Sequence, residues 1–245
     1  MLRHAACAAA QADRDDSPHA WRTNDWSLRF VAGHGPEGAP KRRRKDDDAP
    51  RFSYLPLPSI GHAHAGGMIR RVIIAEPFGG DEGSGRSAAW AAQRLHGVEL
   101  IDEGTGKPVA RLECIEPDDA DFSTVLRHYA PRSSAECAAT WVSITPVILP
   151  GYDDNKPVKR ERLLMDCLRH AGIDPSAVIS IESRRAAWRP RGAGMPMSPH
   201  SAYVRPNYLR GLPACHVRVT FKALQAGPLS LGAGRHIGLG VCAVE

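Results

Sequence analysis

From Ser183 to Val244 this chain has no aspartate and no glutamate. The same stretch carries Arg184, Arg185, Arg189, Arg191, Arg205, Arg210, Arg218, Lys222 and Arg235, a charge of +9. Of the 32 basic and 27 acidic residues, 23 and 27 then remain for the rest of the chain, which is therefore −4. A one-sided field of this kind is the footprint of a polyanion binder. The plain alternative is a basic surface with no partner. Trp188, Tyr203 and Tyr208 interleave with the arginines, and arginine with aromatic rings suits unstacked RNA bases better than a bare duplex.

Other absences narrow the reading further. The six cysteines are scattered and no C-x-x-C pair exists, so neither a zinc ribbon nor a disulfide framework is suggested. A reduced, cytoplasmic compartment is the default for such a chain. No apolar run approaches the ~18 residues of a membrane span. The N-terminal AACAAA is too short an apolar run for a signal peptide.

A dinucleotide site is also excluded. The closing stretch GPLSLGAGRHIGLGVCAVE spaces Gly232, Gly234, Gly238 and Gly240 as G-x-G-x-x-x-G-x-G. A Rossmann unit has G-x-G-x-x-G and needs about 30 residues in all, with a helix and a second strand after the loop. GDEGSGRS (Gly80–Ser87) comes close to a P-loop, but Arg86 stands where the lysine belongs. Arginine is not the equivalent point charge between phosphates, and Asp81 and Glu82 would repel a triphosphate. A flexible turn before a helix is the better reading.

What is present reads as α+β. Residues 1–50 are polar and charge-rich, contain KRRRKDDD, and are expected to be poorly structured or a remnant. RFSYLPLPSIG contains a short strand stopped by Pro56 and Pro58. MIRRVIIAEP is a β-branched strand, Ser87–Leu95 a short helix, and VARLECI another strand. ATWVSITPVILPGY is the strongest strand, broken at Pro146. NKPVKRERLLMDCLRHAG is an amphipathic helix with Leu163, Leu164, Cys167 and Leu168 on one face and Gly172 as its stop. AVISIES is a strand. HVRVTFKAL sets Val217, Val219 and Phe221 against Arg218, Thr220 and Lys222, one face apolar and the other basic. HIGLGVCAVE reads as a last strand entered directly from the glycine loop.

This order suits a ferredoxin-like (RRM-like) α+β sandwich over 138–245, ending in the glycine-rich loop. The strand, strand, helix, strand order of 51–137 suggests a first, partial copy.

The combination of HVRVTFKALQAGPLSLGAGRHIGLG, TWVSITPVILPGYDDNKPVKRERLLMDCLRHAGI and SYLPLPSIGHAHAGG resembles the RAMP superfamily of CRISPR-associated proteins. Within it, the chain looks like the repeat-RNA-processing half of the type I-U (also called I-G) fused Cas-five/Cas-six family, from about Arg51 to Glu245. The chain departs from the longer members in lacking most of the Cas-five-like half. The resemblance implies a RAMP fold and a metal-independent endoribonuclease that cuts CRISPR precursor RNA within its repeats, leaving 5′-hydroxyl and 2′,3′-cyclic phosphate ends. It implies CRISPR repeat or guide RNA and other interference subunits as partners, and no cofactor. The alternative is a non-catalytic subunit that caps the guide RNA.

Such a cut needs a base for the 2′-hydroxyl, an acid for the leaving oxygen and cations for the phosphate charge. His62 and His64, in GHAHAGG between two strands, are the candidate acid and base, since imidazole titrates near neutral pH. The alternatives are loop histidines bonded to backbone, or a metal pair, for which no further ligand cluster is visible. Tyr54 is a candidate to orient the ribose and Arg70 to hold the phosphate; a core aromatic and a solvated arginine are the alternatives. Arg184, Arg185, Arg189, Arg191 and Arg218 are candidate RNA contacts. In the closing loop, Gly232, Gly234, Gly238 and Gly240 would expose N–H groups to phosphate, with Arg235 pairing it and His236 beside it. A tight hairpin with glycines needed for packing is the alternative. Lys156, Lys159 and Arg160 at the helix start are weaker candidates, because a solvated helix end explains them.

Overall fold

Hydrophobic clusters in two units organise the described part of the chain. The computed structural model describes residues 1–16, 31, 33, 51–61, 65–76, 86–102, 104–115, 120–131, 137–189 and 199–245. These fall into two units, Met1–Tyr54 with Ile74–Pro117, and Leu55–Ile73 with Asp118–Glu245. The secondary structure is mixed α and β, with antiparallel sheets. No described helix is long and apolar enough to cross a membrane.

In the first unit, helix α1 (Leu2–Asp16) takes up the alanine-rich start. Ala6 and Ala10 are buried with Val31, Phe52, Tyr54, Trp90 and Leu95. The composition of residues 1–50 predicts little structure, yet alanine is the best helix former and its small face packs closely. Strand β1 (Ser53–Pro58) continues through Pro56 instead of stopping there. It belongs to a two-stranded sheet with β2 (Ile69–Ala75), so one edge needs no N–H donors and tolerates proline. The unit boundary falls within both strands. Helix α2 (Arg86–Leu95) stands where the alanines and Trp90 predict it. Gly97, at φ 80°, turns the chain into β3 (Glu99–Ile101), which pairs antiparallel with β4 (Pro108–Arg111).

The second unit starts its main sequence run with helix α3 (Ala120–Tyr129) and strand β5 (Ala138–Ser143). The chain bends at Pro146 and resumes as β6 (Val147–Ile148). Helix α4 (Pro157–His170) follows, opened by Pro157 at its first turn and ended before Gly172, at φ 76°. Strand β7 (Val178–Arg184), a short helical turn α5 (Asn207–Arg210), strand β8 (Ala214–Gln225) and strand β9 (Cys242–Val244) complete it. The closing strand is shorter than the sequence pattern predicts, because Arg235–Ile237 forms a 3-10 turn and Gly238 is left-handed.

Strand β8 is the spine. It pairs antiparallel with β7 along one edge and with β5 along the other, and β9 pairs with β5. The strand order is β7–β8–β5–β9, with β6 on the N-terminal end of β8. The alternation in HVRVTFKAL decides the two faces. Val217, Val219 and Phe221 join Trp141 and the α4 residues Leu163, Leu164, Cys167 and Leu168 in one core. Arg218, Thr220 and Lys222 stay outside it.

The glycine loop is packed against this sheet. Leu231 donates to the Gly240 carbonyl at 3.0 Å and Cys242 to that of Leu229 at 2.9 Å, closing a hairpin. Gly232, at φ 87°, lies so close to the strand that an added Cβ would sit 2.5 Å from the Ile148 carbonyl. A Cβ on Gly240, at φ 76°, would overlap the Leu231 carbonyl. Gly106, at φ 66°, has open space around it. Gly106→Ala therefore costs only the left-handed strain, about 1–2 kcal/mol. Gly240→Ala adds a backbone overlap and costs more, about 3 kcal/mol or beyond. Urea melts of the two variants check this, and equal losses would show that the hairpin relaxes around the methyl.

Candidate nucleic-acid interface

Residues opposite one another on paired strands share a face. The register puts Arg218 opposite Glu182 on β7 and Val142 on β5, and Thr220 opposite Ser180 and Thr140. Arg184 lies opposite His216 on the same face. The chain after β7 returns over these residues and lays Trp188 on the two arginines. The Arg184 guanidinium is 3.8 Å from the indole ring centre and that of Arg218 is 5.5 Å. Both are within cation–π range. Arg184 also donates to the Ala186 and Ala187 carbonyls, at 2.9 and 2.5 Å, which fixes its plane. Ser180, Glu182 and Lys222 are exposed, and Thr140, Thr220 and Arg218 are half-buried. The β7 side of this end is exposed at Ser180 and Glu182, whereas Val142, opposite Arg218, is buried.

The two acids that bound the acid-free stretch meet here. Glu245 Oε2 is 2.7 Å from Arg218 Nη2, and Glu182 Oε1 is 3.9 Å from Arg218 Nη1. The Glu245 N–H also donates to the Thr140 carbonyl at 3.1 Å. Arg218 is thus a basic candidate that the fold partly neutralises.

The other end of the face is covered. Tyr203 donates to the Ile144 carbonyl at 2.9 Å, and its ring lies 6.0 Å from that of the fully buried His216. His216 Nδ1 is 3.2 Å from both the hydroxyl and the carbonyl of Ser143, and the Val217 N–H donates to that hydroxyl at 2.9 Å. Arg185 is exposed, and its carbonyl accepts from the His200 N–H at 2.9 Å. Arg189 is half-buried, with its charge near the Tyr129 hydroxyl. Arg191 lies outside the described residues.

In the closing loop the predicted residues lie together, but much of the loop faces inward. Arg235 is buried and its Nη1 donates to the Gly232 carbonyl at 3.4 Å. The Gly238 carbonyl accepts from Thr145 Oγ1 at 3.1 Å, and Ser230 Oγ donates to the Arg235 carbonyl at 3.0 Å. Gly234 packs on Leu239, and His236 is half-buried. The close approaches give the glycines a packing role.

The hairpin that carries GHAHAGG is described at its base. Ser59 donates to the Met68 carbonyl at 3.0 Å and Gly67 to that of Ser59 at 3.2 Å. Gly61 sits directly against the His128 ring, where a Cβ would overlap it. His62 and His64 lie outside the described residues, as do Gly80–Gly85 of the near-P-loop. Arg70 is exposed on β2, its Nη2 3.9 Å from the Met68 sulfur. Tyr54 is in the core of the first unit, and its hydroxyl donates to the Val31 carbonyl at 2.8 Å. Burial pushes the Tyr54 pKa up. As placed, Tyr54 is a core aromatic.

Two histidines that the sequence reading passed over stand near these groups. His128 ends α3 beside Gly61, and the helix itself was not anticipated. His200 opens a 3-10 turn beside the Ala186–Pro199 bridge. Burial first, then the charges of Arg205 and Arg185, lower its pKa. No described group of three or more His, Cys, Asp or Glu side chains is placed to hold a metal ion.

The helix-start cations have local partners. Lys159 pairs with Asp154 and Arg160 Nε with Asp153 Oδ2, each at 2.7 Å. Asp153 is nearly buried. Burial alone would raise its pKa, but the Arg160 bond and the Asn155 N–H outweigh that and hold it below the usual carboxylate value. A carboxylate with a depressed folded pKa stabilises above its unfolded pKa, near 3.9, and loses that contribution as pH falls through the folded value. Asp153→Asn is therefore expected to lower Tm at pH 7. The gap between variant and wild type should close as pH falls through the lowered folded pKa of Asp153, and a pH series of thermal melts checks it.

Comparison with curated proteins and with solved structures gives no match. The model of a family described as "CRISPR-associated protein, GSU0054 family" matches residues 3–244, nearly the whole chain, and so spans both units and the glycine hairpin. The chain belongs to the GSU0054 family of CRISPR-associated proteins.

Proposed function

We propose that this chain binds CRISPR repeat RNA on the Arg218 face of the sheet in its second unit and cuts it within the repeat, without a metal. The observation that carries the binding reading is the stack of Trp188 with Arg184 and Arg218 on that face. An indole and two guanidinium planes offer surfaces for unpaired bases, and Arg184 brings charge for the phosphates. The hydroxyls of Ser180, Thr140 and Thr220 lie on the same side of the sheet and suit ribose contacts. The strand order β7–β8–β5–β9, with α4 on the opposite face, supports a ferredoxin-like RAMP domain, and the family membership supports the repeat-processing half of a fused Cas-five/Cas-six protein. Arg185 and Arg189 add to the basic side chains of the second unit.

In the cut, a base takes the proton of the 2′-hydroxyl, the 2′-oxygen attacks phosphorus, and the 5′-oxygen leaves with a proton from the acid. The products are a 2′,3′-cyclic phosphate and a 5′-hydroxyl. His62 and His64 are assigned the proton transfers, with Arg70 near the phosphate. Tyr54, whose hydroxyl donates to the Val31 carbonyl in the core, is assigned no step. Other CRISPR interference subunits are the expected protein partners.

The experiment is incubation of repeat RNA with the protein in EDTA, beside the double variant His62→Ala, His64→Ala. One cut by the wild type is expected, reduced at least ~100-fold in the variant, with binding kept within about twofold. Binding without any cut by the wild type would give the second reading, a guide-RNA-capping subunit. For the face itself, Arg184→Ala is expected to weaken binding and to lower the slope of log K against log salt by about one. Filter binding at several salt concentrations measures it, and an unchanged slope would remove Arg184 from the phosphate contacts.

A further inference from the structure

Arg218 is flanked by the acids at both ends of the acid-free stretch, with Glu245 at 2.7 Å and Glu182 at 3.9 Å, beside the Trp188 ring. Binding phosphate alone needs no carboxylate, and two carboxylates oppose it. They do suit a base edge. A carboxylate only accepts hydrogen bonds, whereas arginine only donates. Side by side they form a row that accepts, then donates. The Watson–Crick edge of guanine is its complement, with N1–H and N2–H donors next to the O6 acceptor. Adenine and cytosine each set a ring nitrogen lone pair beside their amine, which a carboxylate repels. Uracil offers one N–H between two acceptors.

We infer that the Trp188–Arg184–Arg218 stack with Glu182 and Glu245 is a reading site for one unpaired guanine of the bound RNA. The base stacks on the aromatic and guanidinium planes, a carboxylate takes N1–H and N2–H, and Arg218 donates to O6. This rests on the RNA-binding reading above. Both carboxylates are accessible for it: the Glu182 side chain is 53 % exposed and that of Glu245 is 34 %. Their bonds to Arg218 are surface pairs, which contribute little to stability, so exchanging one for a base edge has a small cost.

The test uses the full chain and ten-nucleotide oligouridylates with a single central guanosine, inosine or adenosine, and an all-uridine control. Guanosine is expected to bind about tenfold tighter than adenosine, the discrimination of one good bidentate pair. Inosine, lacking the 2-amino group, falls between. In the double variant Glu182→Gln, Glu245→Gln the guanosine preference falls to about twofold or less, while the all-uridine control binds as well as before or better, because negative charge is gone. Equal binding of all four oligonucleotides by the wild type would overturn the guanine site and leave RNA binding standing. So would a guanosine preference that survives in the double variant. Failure of every oligonucleotide and of the repeat RNA to bind would remove the RNA-binding reading and this inference with it.

Discussion

The second unit depends on the pairing of β8 along both edges. With β7 on one side and β5 on the other, its central backbone N–H and C=O groups are used within the sheet, as burial requires. That pairing forces the strict alternation of side chains. Val217, Val219 and Phe221 have one place to go, against α4, and Arg218, Thr220 and Lys222 have the other. A shift of one residue would bury the cations and expose the core. The basic face is therefore a product of the same register that builds the core.

Charge on that face is arranged, not merely abundant. Trp188 draws Arg184 and Arg218 together, where two bare guanidinium groups would repel. Glu182 and Glu245 offset one of them. Two further cations hold backbone: Arg205 donates to the Leu212 carbonyl and Arg210 to that of Arg205. Cations that hold backbone keep fixed positions, a form of preorganisation for an anionic partner.

Much of the second unit was legible in the sequence. The apolar spacing of α4, the β-branched run of β5, the break at Pro146 and the alternation in β8 each had a local signal strong enough to survive packing. Helices α1 and α3 were not read, although their amphipathic contrast is no weaker than that of α4; the charge-rich sequence around each hides it. The basic stretch was legible as charge, but its grouping was not. Nothing in the local sequence places Glu245 beside Arg218, or Trp188 over Arg184; those meetings follow from strand order. The glycine loop shows the opposite limit. Its composition allows close approach by a ligand or by the protein's own backbone, and composition alone does not say which. The Ile148 and Leu231 carbonyls occupy the space that Gly232 and Gly240 leave.

The pairing of β9 with β5 has a consequence for how the second unit is made. Trp141 lies opposite Val244, and Ser143 opposite Cys242, with α4, β7, β8 and the glycine hairpin between them in the chain. On a ribosome, β5 emerges early and stands with an open edge, unable to close until β9 follows. An exposed strand edge is a template for pairing with other chains. The newly made unit is thus most open to misassembly in the interval before its last strand arrives, and its β-branched residues Thr140 and Val142 lie on the strand left waiting.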